Sequence, residues 1–220
     1  MNRLFLILFA VACLIHLFFS WKDMRKARAC TKPFPLLFLM LYYITGAGEI
    51  ETFLILALFF SWIGDILLIP PGKGWFVSGG SSFLLAHLFF ILLYAGHIQS
   101  GNIPWFVMIP VTILYFFLAF LLARAMRNEV PKRMIAAMFL YMLMNSCMNV
   151  FALLQLFSMR SMGSIVACIG ANLFFASDCA LFLVRFYRKR ALVFKRHFTV
   201  MLTYLLGEYF ITVGMMLVSR

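Results

Sequence analysis

Residues 162–186 read MGSIVACIGANLFFASDCALFLVRF. Only Asp178 and Arg185, toward its end, interrupt an otherwise uncharged run without proline. At about 1.5 Å of helical rise per residue, the run exceeds the roughly 30 Å of a bilayer's hydrocarbon core. The same pattern recurs on either side. Leu4 to Trp21, Pro33 to Gly48, Thr52 to Ile69, Trp75 to His97, Pro104 to Ala123 and Met134 to Phe157 precede it, and Phe198 to Val218 follows. Eight runs of this kind predict an all-α, polytopic membrane protein, a bundle of eight transmembrane helices forming one domain over residues 1–220.

Composition agrees. Of 220 residues, 65% are hydrophobic, 18% aromatic and only 12% charged, with a mean hydropathy of +1.01. Soluble domains hold about half apolar and a quarter charged residues, and disordered chains are less apolar still, so both classes are excluded. The first run is read as a span rather than a cleaved leader, because it is long and no small-x-small site precedes the cationic segment that follows. Cys13, Cys30, Cys147, Cys168 and Cys179 form no CxxC pair. They read as small core hydrophobes.

A net charge of +12 would in a soluble chain point to nucleic acid. Here the distribution argues for loops that orient the protein and meet anionic lipid headgroups, with no nucleic-acid partner. Lys22, Arg25, Lys26, Arg28 and Lys32 lie between runs one and two, and Lys73 between three and four. Arg124, Arg127, Lys132 and Arg133 lie between five and six. Arg185, Arg188, Lys189, Arg190, Lys195 and Arg196 surround the seventh loop. The opposite side keeps only Arg3, Arg160 and Arg220. Odd-numbered loops are therefore expected in the cytoplasm and both termini outside it, and an error of one span would destroy the alternation.

Carboxylates inside a span cost about 2.5 to 3.5 kcal/mol on insertion scales and mark function by default. Asp65, in Ser61-Trp62-Ile63-Gly64-Asp65, lies four residues before the end of the third run, and Asp178 lies seven before Arg185. The helical rise puts them roughly 6 and 10 Å below the cytoplasmic boundary, in one layer. Asp178 and Arg185 share a helical face, as do Ser61 and Asp65. Glu208 falls near the middle of the eighth run, four residues after Tyr204. His87, Asn145, Asn149 and Asn172 add buried polar groups, whose ordinary use is bonding between helices. A membrane zinc hydrolase would need about three ligands at one depth. His16, His97 and His197 lie on other spans or ends, leaving only His87 near the acids, so no metal is expected. There is no GxSxG elbow for serine hydrolysis.

Several stretches together carry a resemblance. They are Lys32-Pro33; Ser61-Trp62-Ile63-Gly64-Asp65 with Leu67-Leu68; Phe76, Gly79 or Gly80, Phe83, Ala86-His87-Leu88 and Tyr94; Gly170-Ala171, Leu173-Phe174, Ser177-Asp178 and Arg185-Phe186; and Tyr204. In order and spacing they resemble the YhhN-like lysoplasmalogenase family, from the second run to the eighth. The resemblance implies hydrolysis of the vinyl ether of a lysoplasmalogen to a fatty aldehyde and glycerophosphoethanolamine or glycerophosphocholine, without metal or organic cofactor. The family's paired aspartates fall on Asp65 and Asp178. Family members commonly carry Gln in the last span where this chain has Gly207-Glu208.

Vinyl ethers hydrolyse through protonation at carbon and water capture of an oxocarbenium ion. Two carboxylates in a low-dielectric site can divide these tasks, one protonated and one ionised, in either assignment. The expected catalytic residues are Asp65 and Asp178. The expected lipid-binding residues are Lys32, Ser61, His87, Asn149, Ser177, Arg185, Tyr204 and Glu208, with phosphate near Lys32 and Arg185. Lys73 reads as an orienting loop charge. The partners are the lysophospholipid and membrane lipids. A proton-coupled transporter would also place acids and a histidine in a bundle, and a noncatalytic lysolipid-binding protein shares the composition; aldehyde formation separates them from the enzyme. Short loops without a cleavable leader fit a bacterial inner membrane, with the endoplasmic reticulum as the other candidate.

Overall fold

The computed structural model describes residues 2–99, 103–187 and 192–219. Arg188, Lys189, Arg190 and Arg220, counted among the loop and terminal charges, lie outside the described residues. Those described form nine helices: α1 (Asn2–Trp21), α2 (Arg25–Thr31), α3 (Phe34–Gly46), α4 (Thr52–Leu67), α5 (Lys73–Gly96), α6 (Trp105–Met126), α7 (Lys132–Met159), α8 (Met162–Phe186) and α9 (His197–Val218). Eight coincide with the apolar runs, and the seventh run matches α8 residue for residue. The ninth, α2, lies in the cationic segment that reads as a loop. Seven residues without apolar periodicity give no helical signal in sequence.

Six helices, α1 and α5 to α9, are long and apolar enough to cross a membrane. The chain is accordingly an integral, multi-pass membrane protein. With 16 and 13 residues, α4 and α3 are shorter. Proline and glycine set several boundaries: Pro33 and Pro35 open α3, and Gly72, at φ 136°, turns the chain into α5. Arg160 ends α7 in the left-handed region, and Ser161 at once caps α8 by exchanging hydrogen bonds with Ser164. Those exchanged bonds satisfy backbone groups that a helix start otherwise leaves unpaired.

Helix contacts run from α1 to α3, α4, α5, α7, α8, α9 and back to α1, closing a ring, while α6 packs outside it against α7. Side chains fill the middle. The Phe174 ring meets those of Phe83, His87, Phe90 and Tyr204 at centroid distances of 5.0 to 6.3 Å, mostly edge to face as ring quadrupoles favour. The closest pairing is α8 with α9. A Cβ on Gly170 would stand 2.6 Å from the Ile211 nitrogen, and one on Gly163 2.7 Å from the Gly214 oxygen. Glycine at these positions is what lets the two backbones touch.

Cationic segments gather at one end of the ring. Arg25, Arg28, Lys32, Arg185 and His197 line one cavity there, and Lys73, Glu129 and Pro131 line its neighbour. At the other end, His97 pairs with Glu51 at 3.1 Å, and the Gln99 amide donates to Ser158. Basic residues from the first, third and seventh loops thus meet at one end of the ring.

Candidate active site

The larger cavity encloses about 620 Å³. Its floor is built where α4 and α8 end and α5 and α9 begin, and both Asp65 and Asp178 line it. The helical rise alone had put the two acids in one layer.

The acids have contrasting partners. Asp65 is bonded at both oxygens: Lys32 Nζ stands 3.2 Å from Oδ1, and the Tyr204 hydroxyl donates to Oδ2 at 2.9 Å. Asp178 takes both its bonds on Oδ2, from the Tyr141 hydroxyl at 2.8 Å and Asn145 Nδ2 at 2.7 Å. His87 Nε2 is 3.5 Å from that same oxygen. Oδ1 of Asp178 accepts no hydrogen bond among the described residues. A carboxylate that faces a lysine cation on one oxygen and a donating hydroxyl on the other is favoured as the anion. One with both donors on a single oxygen can carry a proton on the other.

The mouth is charged. Arg28 pairs with Asp23 at 3.3 Å; burial draws its guanidinium below its ordinary pKa, while Asp23 raises it. The Arg185 guanidinium lies over the Phe76 ring at 5.0 Å. The walls between mouth and floor, including Leu68, Phe83, Leu181 and Met201, are apolar. A ligand with an anionic head and an apolar tail matches this order of surfaces.

Of the residues expected to bind lipid, Lys32, Ser177, Arg185 and Tyr204 line the cavity. Lys32 and Ser177 have partners within the protein. Lys32 is paired with Asp65, and Ser177 donates to the Val200 carbonyl, tying α8 to α9. His87, Ser61, Asn149 and Glu208 are fully buried and do not line the cavity. Asn149 instead donates to the backbone and side-chain oxygens of Asn145 and so steadies the amide that bonds Asp178. Asn145, read as an ordinary interhelical bond, makes one, with an acid as its acceptor.

Sequence reasoning missed Tyr141, Arg25, Arg28 and His16. A tyrosine in an apolar run looks like core, and two arginines in a cationic segment look like orientation charges. His16 and His197, set apart from the acids by span counting, both line the cavity with them. Groups of three or more His, Cys, Asp or Glu side chains suited to a metal are absent among the described residues.

No curated protein and no solved structure matches the chain. The family model described as the YhhN family matches residues 27–215, a stretch that begins within α2, ends within α9 and includes both Asp65 and Asp178. By that match, the chain belongs to the YhhN family.

Proposed function

We propose that the protein is a lysoplasmalogenase, hydrolysing the vinyl ether of 1-alkenyl glycerophospholipids with Asp65 and Asp178 as its catalytic acids. The observation that supports this reading most is the pairing of these two carboxyls on one cavity floor with opposite hydrogen-bond patterns. In the reaction, Asp178 gives the proton on Oδ1 to the β-carbon of the vinyl ether. The double-bond electrons form the new C–H bond, and the α-carbon becomes an oxocarbenium ion. Asp65, fixed as an anion by Lys32 and Tyr204, stabilises that cation as paired carboxylates do beside a sugar oxocarbenium. Water adds to the α-carbon and returns a proton to Asp178. The resulting hemiacetal breaks its C–O bond to the glycerol, releasing aldehyde and a free hydroxyl.

Tyr141 and Asn145 act through Asp178, keeping its second oxygen turned to the cavity. The phosphate fits Arg28 and Arg185 at the mouth, where a guanidinium gives two parallel donors, and the alkenyl chain fits the apolar walls. The same reading places the mouth on the cytoplasmic side by the positive-inside rule, with both termini on the other side. It counts eight crossings in a single domain; α3 and α4, about 20 and 24 Å long by helical rise, would cross with help from their flanking residues. A bacterial inner membrane is the proposed host.

The test is direct. Purified protein in lipid nanodiscs is given lysoplasmenylethanolamine, and aldehyde is measured. Release by the native chain, lost by 10²-fold or more in Asp65→Asn and in Asp178→Asn, is the expected result. Full turnover in either variant would reject the paired-acid mechanism.

A further inference from the structure

Beneath the two acids, away from the mouth, lies a second layer of polar side chains. The Tyr204–Asp65 bond sets the register of α9 against α4, and α4 ends at the cavity where α9 begins. Ser61, four residues before Asp65, and Glu208, four after Tyr204, therefore both lie one helical turn, about 6 Å, deeper. Asn149 follows Asn145 by one turn on α7, and Tyr94 lies two turns past His87 on α5. Ser61, Tyr94, Asn149 and Glu208 all have 0% relative exposure. Yet Tyr94 Oη and Asn149 Oδ1 complete no hydrogen bond among the described residues, and Glu208 has Ser61 beside it as its one donor, at a contact too poor in geometry to satisfy either group. Ser61 lies beside the Glu208 carboxyl, and Tyr94 and Tyr141 are within electrostatic range of it.

Buried polar groups are almost always satisfied, and a concentration of unsatisfied ones in one layer calls for a small partner that both donates and accepts. Water does both. A bare cation would serve the oxygens but could not accept the proton of the Tyr94 hydroxyl. We propose that Ser61, Tyr94, Asn149 and Glu208 enclose a hydration site one turn below the acids, and that it supplies the water consumed in the reaction. The use of that water rests on the hydrolytic reading above; its presence does not. The need is geometric: a lysolipid whose headgroup fills the charged mouth closes that route to bulk solvent, while hydrolysis consumes one water per turnover. Glu208 is here a positioning residue, which holds water toward the floor without touching the lipid.

Two measurements separate the parts of this proposal. Hydroxyl-radical footprinting of the native protein in H₂¹⁸O labels side chains that stand beside bound water. Tyr94 is expected to take up oxygen well above Phe90, which is equally buried one turn away on α5, and Glu208→Leu is expected to remove the excess. Equal labelling of Tyr94 and Phe90 would overturn the hydration site, whatever the enzyme's activity. In the aldehyde assay, Glu208→Leu should lower kcat on the order of tenfold with KM held within about twofold, and Glu208→Gln should recover most of the loss. Unchanged kcat in Glu208→Leu would overturn the supply role. A native protein that labels at Tyr94 but forms no aldehyde would reject the hydrolytic reading and leave the water site standing.

Discussion

At the scale of single residues, the site turns on where each carboxyl oxygen finds its donors. Removing the Tyr141 hydroxyl takes away one of the two bonds on Asp178 Oδ2. Losing a hydrogen bond to a buried acid costs about 1 to 3 kcal/mol, so Tyr141→Phe should lower kcat by roughly 5- to 150-fold while aldehyde is still formed. Arg28→Ala and Arg185→Ala act on the other half of the substrate. Each should raise KM for the phosphate-bearing lysolipid with kcat little changed, and added salt should raise the native KM in the same direction, because exposed ion pairs are screened. An Arg28 effect on kcat alone would contradict a headgroup role. Asp65, Asp178 and Tyr204 were legible in the sequence because ionisable and hydrogen-bonding groups stand out against apolar runs at predictable depth. Tyr141 was not, since its ring is indistinguishable from core. The Lys32–Asp65 and Asn149–Asn145 contacts were not legible for a common reason: face and depth say which layer a side chain occupies, not which neighbour it meets.

At the scale of helices, the seam between α8 and α9 is the most demanding contact. A Cβ at Gly170 would meet the Ile211 nitrogen at 2.6 Å and the Gly207 oxygen at 2.7 Å, both backbone atoms that cannot turn aside. Gly170→Ala is expected to destabilise by about 1 to 3 kcal/mol as an overpacked site. Gly80→Ala, with nothing within 4 Å of the added carbon, should be neutral or slightly stabilising through helix propensity. Thermal unfolding of both variants in one detergent decides this, and equal midpoints would contradict the close approach. The Gly163, Ala167, Gly170 spacing is visible in the sequence as small residues on one face of a span, yet it names no partner. Only the fold shows that Gly207 and Gly214 face it. α2 was hidden for another reason: its helix is built from charged residues that the surrounding spans already account for.

For the whole molecule, hydropathy and loop charge were enough to find eight helices and to sort their connections between two ends, because both follow from the bilayer's cost for charge and unpaired backbone. They could not give the order of helices around the ring, which depends on packing that no periodicity records. The proposed orientation has a native reporter. Cys30 is exposed on α2, and the other four cysteines are buried or partly buried. A membrane-impermeant maleimide should label Cys30 from the cytoplasmic face alone; labelling only from the opposite face would invert the topology.

The glycine seam also has a mechanical meaning. Two backbones in contact leave no side-chain cushion along which they could slide, so α8 and α9 behave as a single strut. Asp178 rides on one half of it and Tyr204, which grips Asp65, on the other, so the spacing of the catalytic floor is anchored on that strut. On the proposed reading, what yields to admit a hydrocarbon tail is then the facing wall of α1 and α2, which carries neither acid.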